Sequence, residues 1–288
     1  MKILFLTLSR IKDITARGIY TDLMREFVRR GHEPYIVCPV ERRFHLPEQV
    51  IECDGAKILH VKTLNIQKTN VVEKGIGTLL LERQYMSAIK RHWGDVQFDL
   101  CLYSTPPITF NKVIAWQKRK GVRTYLLLKD IFPQNAVDLG MMKEGGLLHR
   151  MFRKKEERLY ELSERIGCMS PANCEYVIKH NPNVDPIKVE VAPNSVEVTT
   201  EAPSGRNKNE DIPLFIYGGN LGKPQGIDFL IRVLNACKDR EDLRICVVGS
   251  GTESGKLHRW QDEAKPKAVS IMDALPQAEY AELVAKAD

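Results

Sequence analysis

Short apolar runs alternate with segments of helical periodicity through most of the chain. Repeats of strand, helix and strand predict a parallel sheet with right-handed crossovers. Apolar runs that predict buried strands lie at 3–8, 34–38, 58–61, 100–103, 124–128, 166–169 and 189–192. Helical spacing follows Gly18 and spans 79–93, 106–120, 145–165 (the longest) and 173–179, whereas the polar segment 65–77 predicts a loop.

The pattern changes after residue 192. Residues 196–211 are polar and contain Pro203, Gly205 and Asn207, which is typical of a linker. Beyond it, apolar runs at 214–217, 243–248 and 269–272 predict strands, and helices are predicted from 227 and over 276–287. The sequence therefore predicts two α/β domains, 1–192 and 193–288, the second with three strand signals and no closing segment.

Composition restricts the class of protein. The 288 residues are 43% apolar and 28% charged, with a net charge of +6, which is typical of a soluble globular protein. This mild positive charge permits an anionic partner without indicating nucleic acid. No apolar run approaches the ~18 residues of a membrane span. The seven cysteines form no C-x-x-C pair, which favours a reducing cytoplasm and no metal site.

The stretch 214–234 combines a strand, a glycine-rich turn and the start of a helix. Four glycines and Lys223 lie between residues 218 and 226. Glycine lets the backbone approach an anion closely, and the free N–H groups of a first helical turn point toward it. The pattern favours a phosphate site; an ordinary turn between a strand and a helix is the alternative.

Charged residues follow a second predicted strand. Lys129 and Asp130 come directly after the run 124–128, while Ser104 and Thr105 follow the run 100–103. Ligands of open parallel sheets bind beyond the carboxyl ends of the strands, so this position indicates function. The alternative is a local ion pair that closes the strand.

The centre of the segment 145–165 is basic. Arg150, Arg153, Lys154 and Lys155 lie among its apolar positions. A solvated helix face is the usual explanation for such a cluster, and contact with an anionic membrane surface is the alternative.

The order of these motifs resembles family 4 retaining glycosyltransferases of the GT-B fold, most of all the WbuB-type transferases of O-antigen and capsule synthesis. The resemblance runs over essentially the whole chain. It rests on the helix that opens at Gly18 and on the motifs GHE at 31–33, KDIFP at 129–133, VAPN at 191–194, YGGNLG at 217–222, VVGSG at 247–251 and AKAD at 285–288. On local pattern alone Gly18 is a turn glycine, because its loop lacks G-x-G-x-x-G.

The resemblance implies an α/β protein of two Rossmann-like domains. A nucleotide-diphosphate sugar, expected to be UDP-linked, would lie mainly on the second domain and the acceptor on the first, with no metal and no cofactor besides this donor. Lys129 and Asp130 would be catalytic, facing the reacting sugar or the acceptor. Donor binding is implied for Gly18, Gly219, Asn220, Lys223, Gly249, Gly251, Asp273, Ala274 and Leu275.

The chain departs from the family pattern in places. Many relatives carry Arg at the position of Asn220, Lys at that of Gln225 and His at that of Lys129, so the grip on the diphosphate would depend on Lys223. The E-x7-E element of the family would lie beyond residue 288, which implies a truncated transferase that is weak or inactive alone.

The resemblance also implies an acceptor and a location. WbuB-type relatives extend sugars on a polyprenyl-diphosphate lipid, so a cytoplasmic protein peripheral to the inner membrane is expected. Rival hypotheses are a nucleotide-sugar epimerase and a non-enzymatic nucleotide-binding fragment. An NAD-dependent oxidoreductase is poorly supported, because neither glycine loop has the dinucleotide spacing.

Overall fold

The computed structural model describes residues 1–66, 71–198 and 212–288. The chain forms two compact units, Met1–Glu197 and Val198–Asp288. The first unit holds strands β1 Lys2–Leu6, β2 Glu33–Glu41, β3 Gln49–Cys53, β4 Ala56–Thr63, β5 Leu100–Ser104, β6 Arg123–Leu128, β7 Arg165–Cys168 and β8 Val189–Val191. Its helices are α1 Ile19–Arg29, α2 Val71–Trp93, α3 Asn111–Arg119, α4 Gln134–Asp138, α5 Leu147–Leu162 and α6 Pro171–His180.

These strands form one sheet in the order β3-β4-β2-β1-β5-β6-β7-β8. All neighbours pair in parallel except β3 and β4. Successive side chains of a strand point to opposite faces, so Leu4 and Leu6 pack on the face covered by α2, α3 and α5, while Ile3 and Phe5 pack against α1. Both faces are buried, which is why the strands read as continuous apolar runs.

The antiparallel strand β3 was absent from the sequence prediction. It forms a hairpin with β4 through Asp54 and Gly55, which both have positive φ (46° and 83°). Asp-Gly is a strong signal for this kind of two-residue turn. The signal was present in the sequence, but the strand itself is mostly exposed and lacks an apolar run.

The loop predicted over 65–77 was wrong from Val71 onward, because α2 begins there. Residues 67–70 lie outside the described residues. Gly77 is a packing glycine: an added Cβ would lie 2.8 Å from a methyl carbon of Ile66. The helix has 23 residues against 16 for α5, so the prediction that 145–165 forms the longest helix was also wrong.

The second unit holds a three-stranded parallel sheet, ordered β11-β10-β9. Its core joins α7, α8, β10 and β11. The predicted loop at Gly218 begins later than expected, because β9 continues to Asn220 and pairs Gly219 with Gly249. The elements are β9 Leu214–Asn220, β10 Arg244–Ser250 and β11 Val269–Met272, with α7 Ile227–Cys237, α8 Ser254–Ala264 and α9 Gln277–Val284.

The first unit ends at Glu197, five residues beyond the boundary that the sequence placed after Ala192. The backbone N–H of Glu197 donates to Asp22 at 2.9 Å, and Arg17 donates to its carbonyl oxygen at 2.7 Å. These bonds attach the segment after β8 to α1. Within the described ranges, no helix combines the length and the apolar character that crossing a membrane would need.

Candidate functional site

The carboxyl ends of β1, β5 and β6 lie side by side at one edge of the first sheet. The chain order reverses between β1 and β5, so a crevice for a ligand is expected there. A cavity of about 370 Å³ lies in the loop after β1 and the first turn of α1. Arg10, Lys12 and Arg17 give this cavity a positive lining, and Asp13 contributes one carboxylate.

Gly18 lies at the start of α1, as the sequence predicted, but its N–H is already bonded. It donates to the carboxylate of Asp22 at 2.9 Å. The same carboxylate accepts from Arg25 at 2.6 Å and from the N–H of Glu197 at 2.9 Å. Burial alone would raise the pKa of Asp22, but the bonds from Glu197, Gly18 and Arg25 outweigh it and hold the pKa below its usual value.

Asp22 therefore accepts, within the first unit, the hydrogen bond from the Gly18 N–H group. The family resemblance had assigned that N–H group to a diphosphate. Asp22 is buried, and sequence reasoning missed it because its position in α1 reads as an ordinary polar position of an amphipathic helix. The only local signal is an acidic residue in the first turn, which stabilises a helix dipole.

Lys129 and Asp130 lie at the carboxyl end of β6, next to the end of β5. Both of their backbone N–H groups donate to the hydroxyl of the buried Thr105, at 2.9 and 3.2 Å. Thr105 thus fixes the backbone that carries both side chains. The local ion pair considered from the sequence is not seen: among the described residues, neither charged group has an ion-pair partner.

Burial alone shifts the pKa of both groups toward the neutral form. It lowers the pKa of Lys129 and raises the pKa of Asp130, whose side chain still reaches solvent. Unpartnered ionisable groups at the mouth of a sheet crevice are candidates for binding or proton transfer.

Tyr20 adds a polar group to this edge. Burial raises the pKa of its hydroxyl, the buried side chain of Ser104 opposes that rise, and the charge of Asp130 adds to it. The ring packs against Phe5 with a centroid distance of 5.1 Å. Sequence reasoning did not single out this residue, because a tyrosine in an amphipathic helix is usually a core residue.

The glycine-rich turn of the second unit follows β9. Gly219 has a φ of 144°, and no atom lies within 4 Å of the position its Cβ would take. The space above it is therefore open. Lys223 begins a short 3-10 helix at 223–225, is exposed, and has no ion-pair or hydrogen-bond partner for its ammonium group among the described residues.

Asn220 and Gln225, the two departures from the family pattern, contact each other. The amide Nδ2 of Asn220 donates to Oε1 of Gln225 at 3.0 Å, and the N–H of Gly222 donates to the same oxygen at 3.1 Å. These hydrogen bonds between neutral groups connect the beginning of the turn to its end. Lys223 remains as the one exposed cation of the turn 218–226, all of which the structure describes.

Gly249 lies near the end of β10 and Gly251 directly follows that strand, and both pack below this turn. An added Cβ would lie 2.0 Å from the carbonyl oxygen of Gly219 at position 249, and 2.3 Å from that of Leu221 at position 251. Leu221 is also bonded through its N–H to the carbonyl of Ser250 at 2.9 Å. The two glycines therefore bring the turns after β9 and β10 into contact, and Gly219 lies on the open side.

The remaining predicted donor residues follow β11. Asp273 is exposed and lies 3.6 Å from Nε2 of His258 in α8. Ala274 is exposed and Leu275 is half-buried. They lie at the same carboxyl edge of the small sheet as Gly219 and Gly249, since β9, β10 and β11 are parallel.

Only part of the predicted basic face of α5 is free. Arg153 donates to the carbonyl of His180 at 2.7 Å and to Asn181 at 2.5 Å, and it pairs with the buried Glu156. Arg153 therefore joins α5 to the end of α6. Arg150 and Lys154 are exposed and Lys155 is half-buried.

No group of three or more His, Cys, Asp or Glu side chains placed to hold a metal ion occurs in the described ranges. Metal-free chemistry stays a prediction.

Two α/β units with glycine turns and polar groups at the carboxyl ends of parallel strands have the architecture in which ligands bind beyond the strand ends. The chain belongs to Glycosyltransferase Family 4, whose model matches residues 19–200. It is similar to the probable glycosyltransferase WbjE of Pseudomonas aeruginosa, with 26% identity over 156 residues. That match covers 50% of this chain and 38% of WbjE, so this chain spans well under half of its relative's length.

Solved structures share the fold at low identity. Trehalose-6-phosphate synthase OtsA has a TM-score of 0.74 and 9% identity, covering 100% of this chain and 77% of OtsA. HepE of Anabaena, in complex with UDP and glucose, has a TM-score of 0.59 and 13% identity, covering 100% and 72%. The lipopolysaccharide outer core galactosyltransferase WaaB has a TM-score of 0.55 and 12% identity, covering 99% and 71%. The predicted GT-B fold is confirmed, with a second sheet of three strands in the described residues.

Proposed function

We propose that this chain belongs to a retaining glycosyltransferase that moves a sugar from a UDP-linked donor to a lipid-linked acceptor in cell-surface polysaccharide synthesis. Family membership supports transfer, and the structure of HepE with UDP and glucose supports a uridine diphosphate donor. WbjE, named a probable glycosyltransferase, and WaaB, an outer core galactosyltransferase, support a surface polysaccharide as product.

The observation that carries this proposal is the glycine-rich turn 218–226. The space above Gly219 in this turn is open, and Lys223 beside it has no partner among the described residues. Breaking the bond between sugar and nucleotide places negative charge on the leaving diphosphate. A cation held beside that charge stabilises the transition state more than the ground state. Asn220 and Gln225 hold the turn in place but add no charge, so Lys223 supplies the electrostatic part.

Lys129 and Asp130 are proposed to act on the sugar or on the acceptor. Their backbone is fixed by Thr105 and their side chains are free to bind a substrate. An Asp with a raised pKa is suited to take a proton from an acceptor hydroxyl, because its basicity is increased. Lys129, whose pKa is lowered, can donate a hydrogen bond to a sugar or phosphate oxygen.

A transfer assay tests the proposal. Purified chain is incubated with UDP-GlcNAc and a short polyprenyl-diphosphate-linked sugar, and the products are followed by mass spectrometry and proton NMR. The expected result is an acceptor heavier by one sugar, with the α configuration of the donor kept at the new bond. Isomerised donor without an acceptor would indicate an epimerase.

Absence of any turnover is resolved by the same assay on a chain extended past Asp288. Turnover in the extended chain supports the predicted truncation. UDP binding without turnover in either form would favour the non-enzymatic fragment and contradict the proposal.

A further inference from the structure

Exposed apolar side chains gather at the beginnings of two helices of the first unit. In α5, Leu147 and Leu148 are 86% and 60% exposed, and Met151 is 36% exposed. In α2, Ile76, Leu79 and Leu80 are exposed as well. Consecutive leucines left in water at a helix start are unfavourable for an isolated soluble protein, so a contact on this surface is indicated.

The two helix starts share one edge and one face of the sheet. A helix that follows a parallel strand begins at the carboxyl end of that strand, and α2 follows β4. The short α4 separates β6 from α5, but α5 ends just before β7 begins at the amino edge, so α5 also begins toward the carboxyl edge. Helix α3 lies between them: its Asn111 donates to the carbonyl of Lys155 at 2.9 Å, and the N–H of Lys112 donates to Glu82. This edge is also where β6 ends at Lys129 and Asp130.

The free charges around the α5 leucines are mainly positive. Lys143, Arg150 and Lys154 are exposed, and none has an ion-pair partner among the described residues. Glu144 is the acidic residue closest in sequence to Leu147. A second copy seated here through a two-fold axis would bring the same cations together, which is unfavourable.

We propose that the beginnings of α2 and α5 form a docking surface for an anionic lipid bilayer. Leu147 and Leu148 enter the acyl boundary while Lys143, Arg150 and Lys154 bind the headgroups. The inference rests on the proposed function, because a lipid-linked acceptor would then be presented at the edge that holds Lys129 and Asp130. The sequence placed the membrane contact at the basic centre of α5, where Arg153 is bonded to His180 and Asn181. The proposed surface places it at the start of α5.

Vesicle flotation of the chain tests the surface. The wild type is expected to float with phosphatidylcholine vesicles that contain phosphatidylglycerol and not with phosphatidylcholine alone. The double variants Leu147→Ser/Leu148→Ser and Arg150→Glu/Lys154→Glu should each lower the bound fraction about tenfold. Leu79→Ser should lower it by a smaller factor, because it removes one exposed leucine and not two adjacent ones.

Matched controls lie at the opposite edge of the sheet. Ile187, 72% exposed just before β8, and Arg119, exposed at the end of α3, are replaced as Ile187→Ser and Arg119→Glu. Both should leave flotation unchanged. Equal flotation of the Leu147→Ser/Leu148→Ser variant and the wild type would overturn the proposal, as would failure of the wild type to bind anionic vesicles.

Two further readouts separate the possible failures. UDP binding by calorimetry should be the same in every variant, since none of these residues lies at the glycine turn. Vesicle binding without UDP binding would leave the surface standing and sink the proposed function. Light scattering that shows a wild-type dimer, converted to monomer by the leucine variant with no change in flotation, would assign the surface to a second copy.

Discussion

The carboxyl edges of the two sheets differ in how their polar groups are used. In the first unit, Asp22 already binds the N–H of Gly18, while the half-buried Lys129 and the exposed Asp130 are of opposite charge and have no partner among the described residues. In the second unit, the turn after β9 is open above Gly219 and carries the free cation Lys223. The second edge suits a diphosphate, and the first suits a group that exchanges protons or hydrogen bonds.

The largest effect is expected at the first edge. Asp130→Asn keeps the shape of the side chain but removes its basicity, so the transfer rate should fall about 10²- to 10³-fold. UDP affinity should stay unchanged, because the diphosphate is assigned to the second edge. Steady-state kinetics and calorimetry measure the two quantities separately. A parallel loss of UDP affinity would contradict the division of roles.

Although Asp130→Asn should lower the transfer rate, it should raise the stability of the folded protein. The raised pKa of Asp130 means that its charged form is disfavoured in the folded state, so the native protein is destabilised as the pH rises through that pKa. Asp130→Asn should therefore melt slightly above the wild type at neutral pH. The difference should vanish at a pH well below the carboxyl range, near about 3, where both states bind the proton.

The close packing of Gly249 against Gly219 in the second unit predicts the next largest effect, a loss of stability. Gly249→Ala places a methyl group 2.0 Å from the carbonyl oxygen of Gly219, so the second unit should lose about 3 kcal/mol of its free energy of unfolding. Gly255→Ala is the matched control: its nearest neighbour is an Arg259 nitrogen at 3.8 Å. Urea denaturation followed by tryptophan fluorescence compares the two, since Trp260 packs against the core of this unit. Equal stability would contradict the contact.

Asp22 predicts a smaller effect on the first unit. Asp22→Asn leaves an amide N–H group opposite a backbone donor, so the unfolding free energy should fall by about 2 kcal/mol. Because the pKa of Asp22 is lowered, its contribution is present above the unfolded value of about 4 and is lost as the pH falls through the native value. The gap between variant and wild type should therefore close on acidification. A gap that is constant with pH would exclude the ionised carboxylate as its source.

Lys223→Ala is expected to have the smallest effect. Loss of the one exposed ammonium group of the turn should weaken UDP binding about tenfold. Lys267→Ala is a suitable control, because Lys267 is exposed at the amino end of β11, the opposite edge of the small sheet. Equal affinity of the two variants would show that Lys223 does not contact the diphosphate.

Most elements of the first sheet were predictable because the central strands are buried on both faces. Seven of its strands coincide with apolar runs, while the exposed β3 has none. The sequence did not predict the start of α2, because Gly77 is typical of a loop. Only the close approach of Gly77 to Ile66 shows that this glycine packs inside the helix. Boundaries at β9 were missed because strand pairing through Gly218 and Gly219 depends on the partner β10.

The candidate site was less predictable than the fold. The sequence pattern placed Lys129, Asp130 and Gly219 near the carboxyl ends of strands and Gly18 at the start of a helix, where the structure has them. The roles of Asp22 and Arg153 depend on partners distant in sequence, Glu197 and His180, which periodicity cannot show. Tyr20 likewise meets Ser104 only through the sheet topology.

Calorimetry tests directly whether a nucleotide diphosphate binds the glycine-rich turn 218–226 at the end of β9. The chain is titrated with UDP, GDP, UDP-GlcNAc and NAD, and then the variants Gly219→Asp and Gly121→Asp are titrated with UDP. Gly121 also has a positive φ and open surroundings, but it precedes β6 at the far edge of the first sheet. UDP binding is expected to be lost in Gly219→Asp and kept in Gly121→Asp. Binding of NAD alone, or UDP binding that survives Gly219→Asp, would contradict it.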